Sequence, residues 1–286
     1  MHMEAAGREA LRRLDQQALA ARFGRRSVAL IGGFENVVFD LGAGHVLRLT
    51  HVSHRSREAV AGELEWLSWL ASLGVGVARS VSGIHQVDGF AAVVFDRAPG
   101  GTIEAHHWGA ALFRRCGQLV GALHSASVGF VPRHPRWHWQ DDPNYAFGKR
   151  IPASQAAAGA AAAAVLDDLA AMPQAAGAYG LVHGDAHPGN FHIAPGGGLM
   201  LFDFDDCHYG WLACDVASVL LSVTMQPWVG GSQRDREDEV RRFLPAFVAG
   251  YQECRSFAPL LAALPCCLKL RELSQYTIIV DQIDAD

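Results

Sequence analysis

The sequence lacks the long apolar runs and the basic excess that mark several protein classes. No stretch approaches the ~20 apolar residues of a membrane span, and the start, MHMEAAGREA, has no apolar core of a signal peptide. The 24 basic residues are outnumbered by 29 acidic ones, so no basic stripe follows a nucleic-acid backbone. We therefore expect a cytoplasmic protein with no membrane and no nucleic-acid partner.

Cysteine and lysine are also sparse. The six cysteines form no C-x-x-C pair and no zinc spacing, and the adjacent Cys266 and Cys267 cannot easily bridge to each other. We expect small core thiols in a reducing compartment. Lysine occurs only at Lys149 and Lys269, far downstream of the N-terminal elements described next.

What is present suits a large globular protein. A chain of 286 residues is too long for one compact core of ordinary size, so it fits two lobes or one large domain. Half of the residues are apolar and about a fifth are charged, which is typical of a soluble globule.

The N-terminal part has the pattern of an antiparallel sheet. Residues 27–31 and 37–41 are apolar runs joined by the glycine hairpin GGFEN at 32–36, and a third strand follows at 45–50. Glycine lets a backbone approach phosphate closely, so the hairpin could cover a nucleotide, although alone it is an ordinary turn. It is not a Walker loop, because no G-K-[ST] follows. The candidate nucleotide contacts here are Gly32, Gly33 and Asn36.

A buried acid is predicted on the next element. Residues 55–73 have the apolar spacing of a helix, and Glu63 lies on its apolar stripe. A carboxylate that faces a core needs a cationic partner. Arg48, between Leu47 and Leu49 on the third strand, is the candidate, and its planar fork suits both a carboxylate and a phosphate. The alternative is that Arg48 is an exposed strand residue.

A break in the pattern marks the boundary between two domains. The buried strand 90–95 ends at DRAPGG, residues 96–101, which reads as a hinge. We predict an N-terminal nucleotide-binding lobe at 1–95 and a catalytic and substrate-binding lobe at 96–286. Backbone groups from Phe95 to Ala98 are candidates for adenine binding. The second lobe is mostly helical, with helices predicted at 108–125, 153–172, 234–251 and 260–279.

The most specific pattern is LVHGDAHPGNF at 181–191, followed by LFDFDD at 201–206. It places Asp185, Asn190 and Asp203 in the order in which a phosphotransferase presents its base and two metal ligands. A turn would be the ordinary interpretation of HGD alone, but the amide, the apolar strand before Asp203 and the further Asp215 favour a site. Phosphoryl transfer needs hard oxygen ligands, an acid near the acceptor and a cation on phosphate, which Arg48 supplies.

These motifs, in this order, resemble the aminoglycoside phosphotransferase-like superfamily, which includes antibiotic, choline and homoserine kinases and bacterial stress-response kinases. The similarity extends over roughly residues 25–280. It implies an α+β, bilobal protein-kinase-like fold, with a small N-terminal lobe of antiparallel sheet and one helix and a larger, mostly helical C-terminal lobe. It also implies ATP or GTP as cofactor with Mg²⁺, and a small-molecule hydroxyl acceptor.

Carried over by position, the resemblance implies that Asp185 is the base or orienting acid and that Asn190 and Asp203 hold magnesium. Asp215 would brace the catalytic loop through backbone N–H groups, and His183 would be a packed supporting residue. The sequence departs from the family in having Arg48 where many members have lysine. It also ends at residue 286, where relatives commonly continue.

The acceptor is predicted from charge to be cationic, like an aminoglycoside-type antibiotic or an amino metabolite. Asp185, Asp203, Asp205 and Asp206 lie close in sequence, and magnesium neutralises only part of their charge; the acidic tail at 281–286 could extend the same field. The alternatives are a stress-response-type protein kinase and a nucleotide-binding pseudokinase. A metallophosphoesterase, suggested by the histidines near HGD, lacks the required upstream D-x-H.

Overall fold

The computed structural model of the protein describes residues 3–33 and 35–283, with side chains as far as Val280. The chain forms two compact units. Unit 1 comprises Met1–Ser72, Val77–Ala98 and Val131–Pro135, and unit 2 comprises Leu73–Gly76, Pro99–Phe130 and Arg136–Asp286. In the part of the chain that is described, no helix combines the length and apolar character needed to span a membrane.

Unit 1 is an antiparallel sheet with helices. Its elements are α1 (Ala5–Arg13), α2 (Gln16–Arg22), β1 (Ala29–Gly33), β2 (Val37–Gly42), β3 (His45–His51), α3 (Arg57–Ser72), β4 (His85–Val87) and β5 (Phe90–Asp96). The strand order is β1-β2-β3-β5-β4, with every neighbouring pair antiparallel. The sheet and α3 agree with the expected N-terminal lobe, for which one helix was predicted. Helices α1 and α2 are additional to it.

The alternation of buried and less buried side chains along the strands shows which face of the sheet forms the core of unit 1. In β2 the buried side chains alternate with half-buried ones, so Val37, Phe39 and Leu41 lie on one face. They pack in a cluster with Leu47 of β3 and Phe90 of β5. Strand β5 is buried from its first residue to its sixth, as its unbroken apolar run indicated.

Unit 2 is mostly helical. Its elements are β6 (Gly101–Thr102), α4 (Ala110–Ala126), α5 (Phe147–Arg150), α6 (Ala156–Ala171), β7 (Tyr179–Val182), β8 (Phe191–Ile193), β9 (Leu199–Leu201), β10 (His208–Trp211), α7 (Ala213–Thr224), α8 (Gln233–Gln252) and α9 (Leu264–Ile283). Strand β7 pairs antiparallel with β10, and β8 lies between β6 and β9. The helices predicted at 108–125, 153–172, 234–251 and 260–279 correspond to α4, α6, α8 and α9.

Helices α4 and α8 touch through their backbones. A Cβ on Gly117 of α4 would lie 1.9 Å from the carbonyl oxygen of Phe247, and one on Gly250 of α8 would lie 1.9 Å from that of Arg114. A side chain at either position would therefore force the helices apart. This close packing also buries Tyr251, which takes part in the hydrogen-bond chain described below.

The α+β class is confirmed, with the antiparallel sheet in unit 1 and most of the helices in unit 2. The division into domains at 95/96 remains a prediction. The hairpin at 32–36 is confirmed in its strand pairing, because Gly33 of β1 is opposite Val37 of β2. Phe34 and the acidic residues 284–286 lie outside the described residues, as do the side chains from residue 281 onward.

Candidate active site

The HGD segment is a tight turn directly after β7. Gly184 has φ of +86°, a left-handed conformation that glycine adopts without strain. A Cβ there would also lie 2.4 Å from the carbonyl oxygen of Asp206. Glycine at 184 thus lets the loop that ends in Asp185 pass directly against the segment after β9.

A buried chain of polar groups holds this turn from beneath. The carboxylate of Asp215, near the start of α7, accepts hydrogen bonds from the backbone N–H groups of His183 (2.8 Å) and Gly184 (2.9 Å). His124 Nε2 lies 3.1 Å from the same carboxylate, and Tyr251 Oη lies 2.9 Å from His124 Nδ1. The expected bracing of the loop by Asp215 is confirmed. Burial alone would raise the pKa of Asp215, but hydrogen bonding and charge from His124 lower it below its usual value.

His183 connects the two halves of the candidate site. Its Nδ1 accepts a hydrogen bond from the backbone N–H of Asp185 (3.2 Å), so the ring proton is on Nε2, which donates to the carbonyl of Phe202 (3.1 Å). The ring is fully buried and packs edge-on against Phe204 at 4.5 Å. Burial lowers its pKa, so the ring is neutral at pH 7. The expectation of a packed supporting residue is confirmed.

Asn190 links the turn at Asp185 to the segment that leads into Asp203. The side-chain Nδ2 of Asn190 donates to the backbone carbonyl of Asp185 (2.9 Å), which directs the amide oxygen Oδ1 away from that contact. The backbone carbonyl of Asn190 accepts a hydrogen bond from Phe202 N (3.1 Å), immediately before Asp203. Asp203 has φ of +67°, rare outside glycine. The three residues predicted from sequence therefore lie on segments of unit 2 that are hydrogen-bonded to one another.

The carboxylate of Asp185 has a cationic neighbour at one oxygen and polar neighbours at the other. Arg271 Nη2 donates to Oδ1 at 2.5 Å. His187 Nε2 lies 3.3 Å from Oδ2, and Asn190 Nδ2 lies 3.5 Å from it. Burial alone would raise the pKa of Asp185, but the charge of Arg271 and the hydrogen bond from His187 hold it well below its usual range. Asp185 is therefore a carboxylate at neutral pH.

Arg271 is the residue of this site that the sequence reasoning missed. It lies on α9 between buried Cys267 and buried Ser274, at helical spacings of four and three. A charged residue on such a stripe needs a partner. The same rule identified Glu63, so it could have shown that Arg271 needs an acidic partner, but not which acid.

Polar contacts also fix the segment after Asp203. Buried Arg136 donates from Nε to the carbonyl of Cys207 (2.6 Å) and from Nη2 to the carbonyl of Asp205. Asn144 Nδ2 donates to the side chain of Asp206 (3.1 Å). The Arg136 contacts fix the backbone of residues 205–207, and the Asn144 contact orients the side chain of Asp206.

In unit 1, Arg48 and Glu63 form a buried, two-pronged ion pair. Arg48 Nη1 lies 2.7 Å from Glu63 Oε1, and Nη2 lies 2.6 Å from Oε2. The guanidinium carbon also lies 5.0 Å from the centre of the Phe95 ring. The pairing is confirmed, and the alternative of an exposed Arg48 is wrong because only 7% of the residue is accessible. Its contact with phosphate stays a prediction.

We expect the Arg48 and Glu63 variants to be non-additive. Removing either charge alone (Arg48→Met or Glu63→Gln) leaves the other buried and should destabilise by roughly 3–5 kcal/mol, while the double variant should cost much less than the sum. Denaturant unfolding of the four proteins measures the coupling. A matched cycle on the exposed pair Arg79 and Asp96 should give less than about 1 kcal/mol. Strictly additive losses at 48 and 63 would contradict the pairing.

The other nucleotide-binding candidates lie at the ends of strands in unit 1. A side chain at Gly33 would clash, since its Cβ would lie 2.8 Å from the carbonyl oxygen of Asn36. At Gly32 there is open space for a Cβ. Asn36 is buried, and its Oδ1 accepts from Thr50 Oγ1 at 2.6 Å, which ties the hairpin to β3. Phe95 is buried near the end of β5, and half-buried Ala98 ends its segment of unit 1. Their roles toward a nucleotide stay predictions.

Comparison with known proteins identifies the family of the chain. The sequence matches the phosphotransferase enzyme family over residues 27–261, and the chain therefore belongs to that family. It is 29% identical over 284 residues to an amicoumacin kinase of Bacillus subtilis (strain 168), an alignment that covers 93% of this chain and 84% of the relative.

Solved structures agree on the fold. The structure resembles that of an amicoumacin kinase, hAmiN, in complex with AMP-PNP, Ca²⁺ and Ami, with a TM-score of 0.88 and 25% identity over 96% of this chain and 89% of that one. An aminoglycoside phosphotransferase from Streptomyces rimosus has the same fold, with a TM-score of 0.61 and 15% identity over 90% of this chain and 96% of that one. The bilobal kinase-like fold is confirmed, and the protein is a kinase that transfers a phosphoryl group to an alcohol.

Proposed function

We propose that the protein transfers the γ-phosphoryl group of ATP or GTP to a hydroxyl of a small cationic molecule, such as an aminoglycoside-like antibiotic or an amino metabolite. The observation that supports this proposal is that Asp185, Asn190 and the residue before Asp203 are linked by hydrogen bonds, beside a turn whose backbone is braced by Asp215. Phosphoryl transfer depends almost entirely on positioning and charge neutralisation, so a rigid turn of this kind suits it.

The roles of the residues follow from their chemistry. Asn190 Oδ1 and the Asp203 carboxylate are hard oxygen donors. They would suit a magnesium ion that also binds a nucleotide phosphate. The ion supplies charge neutralisation on the transferring phosphoryl group. Asp185 accepts a hydrogen bond from the attacking hydroxyl and orients it. Arg48, already fixed by Glu63, contacts phosphate, and the hairpin with Gly32, Gly33 and Asn36 covers the nucleotide. The AMP-PNP and Ca²⁺ of the hAmiN complex support the use of a nucleotide and a divalent cation.

A cationic acceptor is supported by the acidic residues of the segment after β9. Asp203, Asp205 and Asp206 follow one another within four positions, and magnesium offsets only part of their charge. Arg271 offsets the charge of Asp185, so that acid contributes little to the attraction for a cation. The Bacillus subtilis relative is an amicoumacin kinase, which supports a small-molecule acceptor. The tail at 281–286 lies outside the described side chains and adds nothing to this argument.

Nucleotide consumption with a panel of acceptors tests the proposal. Purified protein is given ATP or GTP with magnesium, manganese or zinc, and with amicoumacin, aminoglycosides, choline, amino alcohols or a generic protein. We expect nucleoside diphosphate release with magnesium or manganese, not zinc, and only with a small cationic hydroxyl compound. Turnover confined to proteins or anionic acceptors would overturn the acceptor class, and nucleotide binding without any turnover would favour a pseudokinase.

The metallophosphoesterase alternative gains no support from the histidines near the turn. Both ring nitrogens of His183 are engaged in hydrogen bonds. His187 Nδ1 accepts from Gly189 N (3.0 Å), and its Nε2 faces Asp185. A zinc ion held by these two rings would have to break the contacts that shape the turn. Phosphate-ester hydrolysis by purified protein without nucleotide is therefore not expected.

A further inference from the structure

Helix α9 reaches the candidate active site through one side chain. Arg271 lies 86 positions after Asp185 in sequence, and its Nη2 donates to Asp185 Oδ1 at 2.5 Å. The Arg271 side chain is 15% exposed and that of Asp185 is 28% exposed. Partial exclusion of water makes the contact stronger than a surface ion pair, because solvent screens it less.

The contacts of the two carboxylate oxygens differ. Oδ1 has the short, charge-assisted hydrogen bond from Arg271. Oδ2 has longer contacts, 3.3 Å to His187 Nε2 and 3.5 Å to Asn190 Nδ2. Among the described residues, Oδ2 is therefore the oxygen whose protein contacts are weaker. An incoming hydroxyl competes more easily for Oδ2 than for Oδ1.

Helices α7 and α9 act on the turn at two points. Asp215 of α7 holds the backbone of residues 183 and 184, and Arg271 of α9 holds the side chain of residue 185. The two helices touch close to these points, because Cys214 Sγ lies 3.0 Å from Cys267 Sγ, one helical turn before Arg271. The backbone of residues 183 and 184 and the carboxylate of Asp185 are thus held by two helices that contact each other, α7 and α9.

We propose that Arg271 is a positioning residue for phosphoryl transfer, which holds Asp185 Oδ1 so that Oδ2 is presented to the acceptor hydroxyl. This proposal rests on the proposed function, because it assigns Asp185 to the acceptor. The guanidinium suits the task, since its planar geometry fixes the rotation of a carboxylate better than a flexible ammonium does. Arg271 therefore acts on the acceptor through Asp185.

The central test compares Arg271→Gln with Arg271→Lys in the full chain. Misplacing a reacting group by about 1 Å can cost roughly 10²-fold in rate. We expect Arg271→Gln to lower kcat by about that factor with the KM for nucleotide unchanged. Arg271→Lys, which keeps the charge but not the planar geometry, should recover part of the loss, to within about tenfold of the unmodified protein. The matched control is Arg241→Gln, which removes an exposed arginine paired with Asp238 and should leave kcat unchanged.

Several outcomes would overturn the proposal. An unchanged or increased kcat in Arg271→Gln would show that the contact is structural or that it blocks the acceptor. Equal losses in the Gln and Lys variants, with equal losses of thermal stability, would also point to a structural role. Rates are compared well below the unfolding midpoint of each variant, so partial unfolding does not imitate a loss of positioning.

A second measurement separates this proposal from the proposed function. The unfolding free energies of Arg271→Gln, Asp185→Asn and the double variant give the coupling of the pair without any acceptor or nucleotide. Coupling without turnover on any acceptor would mean that the proposed function fails while the contact stands. Turnover with no coupling, together with an unchanged kcat in Arg271→Gln, would mean that the positioning role fails while the kinase stands.

Discussion

Replacing Asp185 by asparagine is expected to lower kcat by ~10² or more, the usual effect of a positioned general base, and to leave nucleotide affinity nearly unchanged. Asparagine keeps the size of the side chain but removes the negative charge that attracts the acceptor proton. Arg271 would still find a carbonyl oxygen at this position, so the loss concerns charge at the acceptor more than the packing of α9.

The turn itself should survive this substitution. Its backbone is held by Asp215 and by the ring of His183, and neither contact uses the carboxylate of Asp185. Calorimetry with nucleotide and magnesium should therefore give a Kd close to that of the unmodified protein. Asp185→Glu is a useful companion, because it keeps the charge but moves it by one methylene. Full turnover in Asp185→Asn would exclude Asp185 as the orienting acid.

Two rules applied to the sequence were enough to find much of this arrangement. A charge on an apolar stripe needs a partner, and Arg48 stands where a kinase-like N-terminal lobe has the strand lysine that fills this role for the acid at Glu63. The spacing of Asp185, Asn190 and Asp203 predicted a common site because a turn and a short hairpin bring such positions together. The Asp215 brace, by contrast, was known only through the family resemblance.

Other features depend on contacts that sequence spacing does not encode. Arg271 follows Asp185 by 86 positions, and nothing local indicates which acid it meets. Asn36 has a side chain suited to a ligand, yet it binds Thr50 within the sheet. Helices α1 and α2 were omitted because short helices depend on tertiary packing more than on intrinsic propensity. Leu19 of α2, and Leu14 directly after α1, join the core of the sheet.

Asp203 should show the largest effect on nucleotide binding. If its carboxylate holds the metal that bridges the nucleotide phosphates, both Asp203→Ala and Asp203→Gly should abolish metal-dependent binding in calorimetry. The backbone provides an internal control. Asp203 has φ of +67°, a conformation that costs a residue with a Cβ roughly 1–2 kcal/mol, whereas glycine adopts it freely.

The two variants should consequently differ in stability while agreeing in function. Asp203→Ala keeps the strained Cβ and loses the short polar side chain that helps aspartate tolerate the left-handed conformation, so it should destabilise by about 1 kcal/mol. Asp203→Gly relieves the backbone strain, which stabilises the folded state. Glycine also raises the conformational entropy of the unfolded chain, which offsets that stabilisation. The free energy of unfolding should therefore stay within about 1 kcal/mol of that of the unmodified protein. A strained acid kept where glycine fits better is typical of a residue retained for chemistry. Metal-dependent nucleotide binding that persists in Asp203→Gly would assign the metal to other ligands and leave the left-handed backbone at Asp203 without a functional reason.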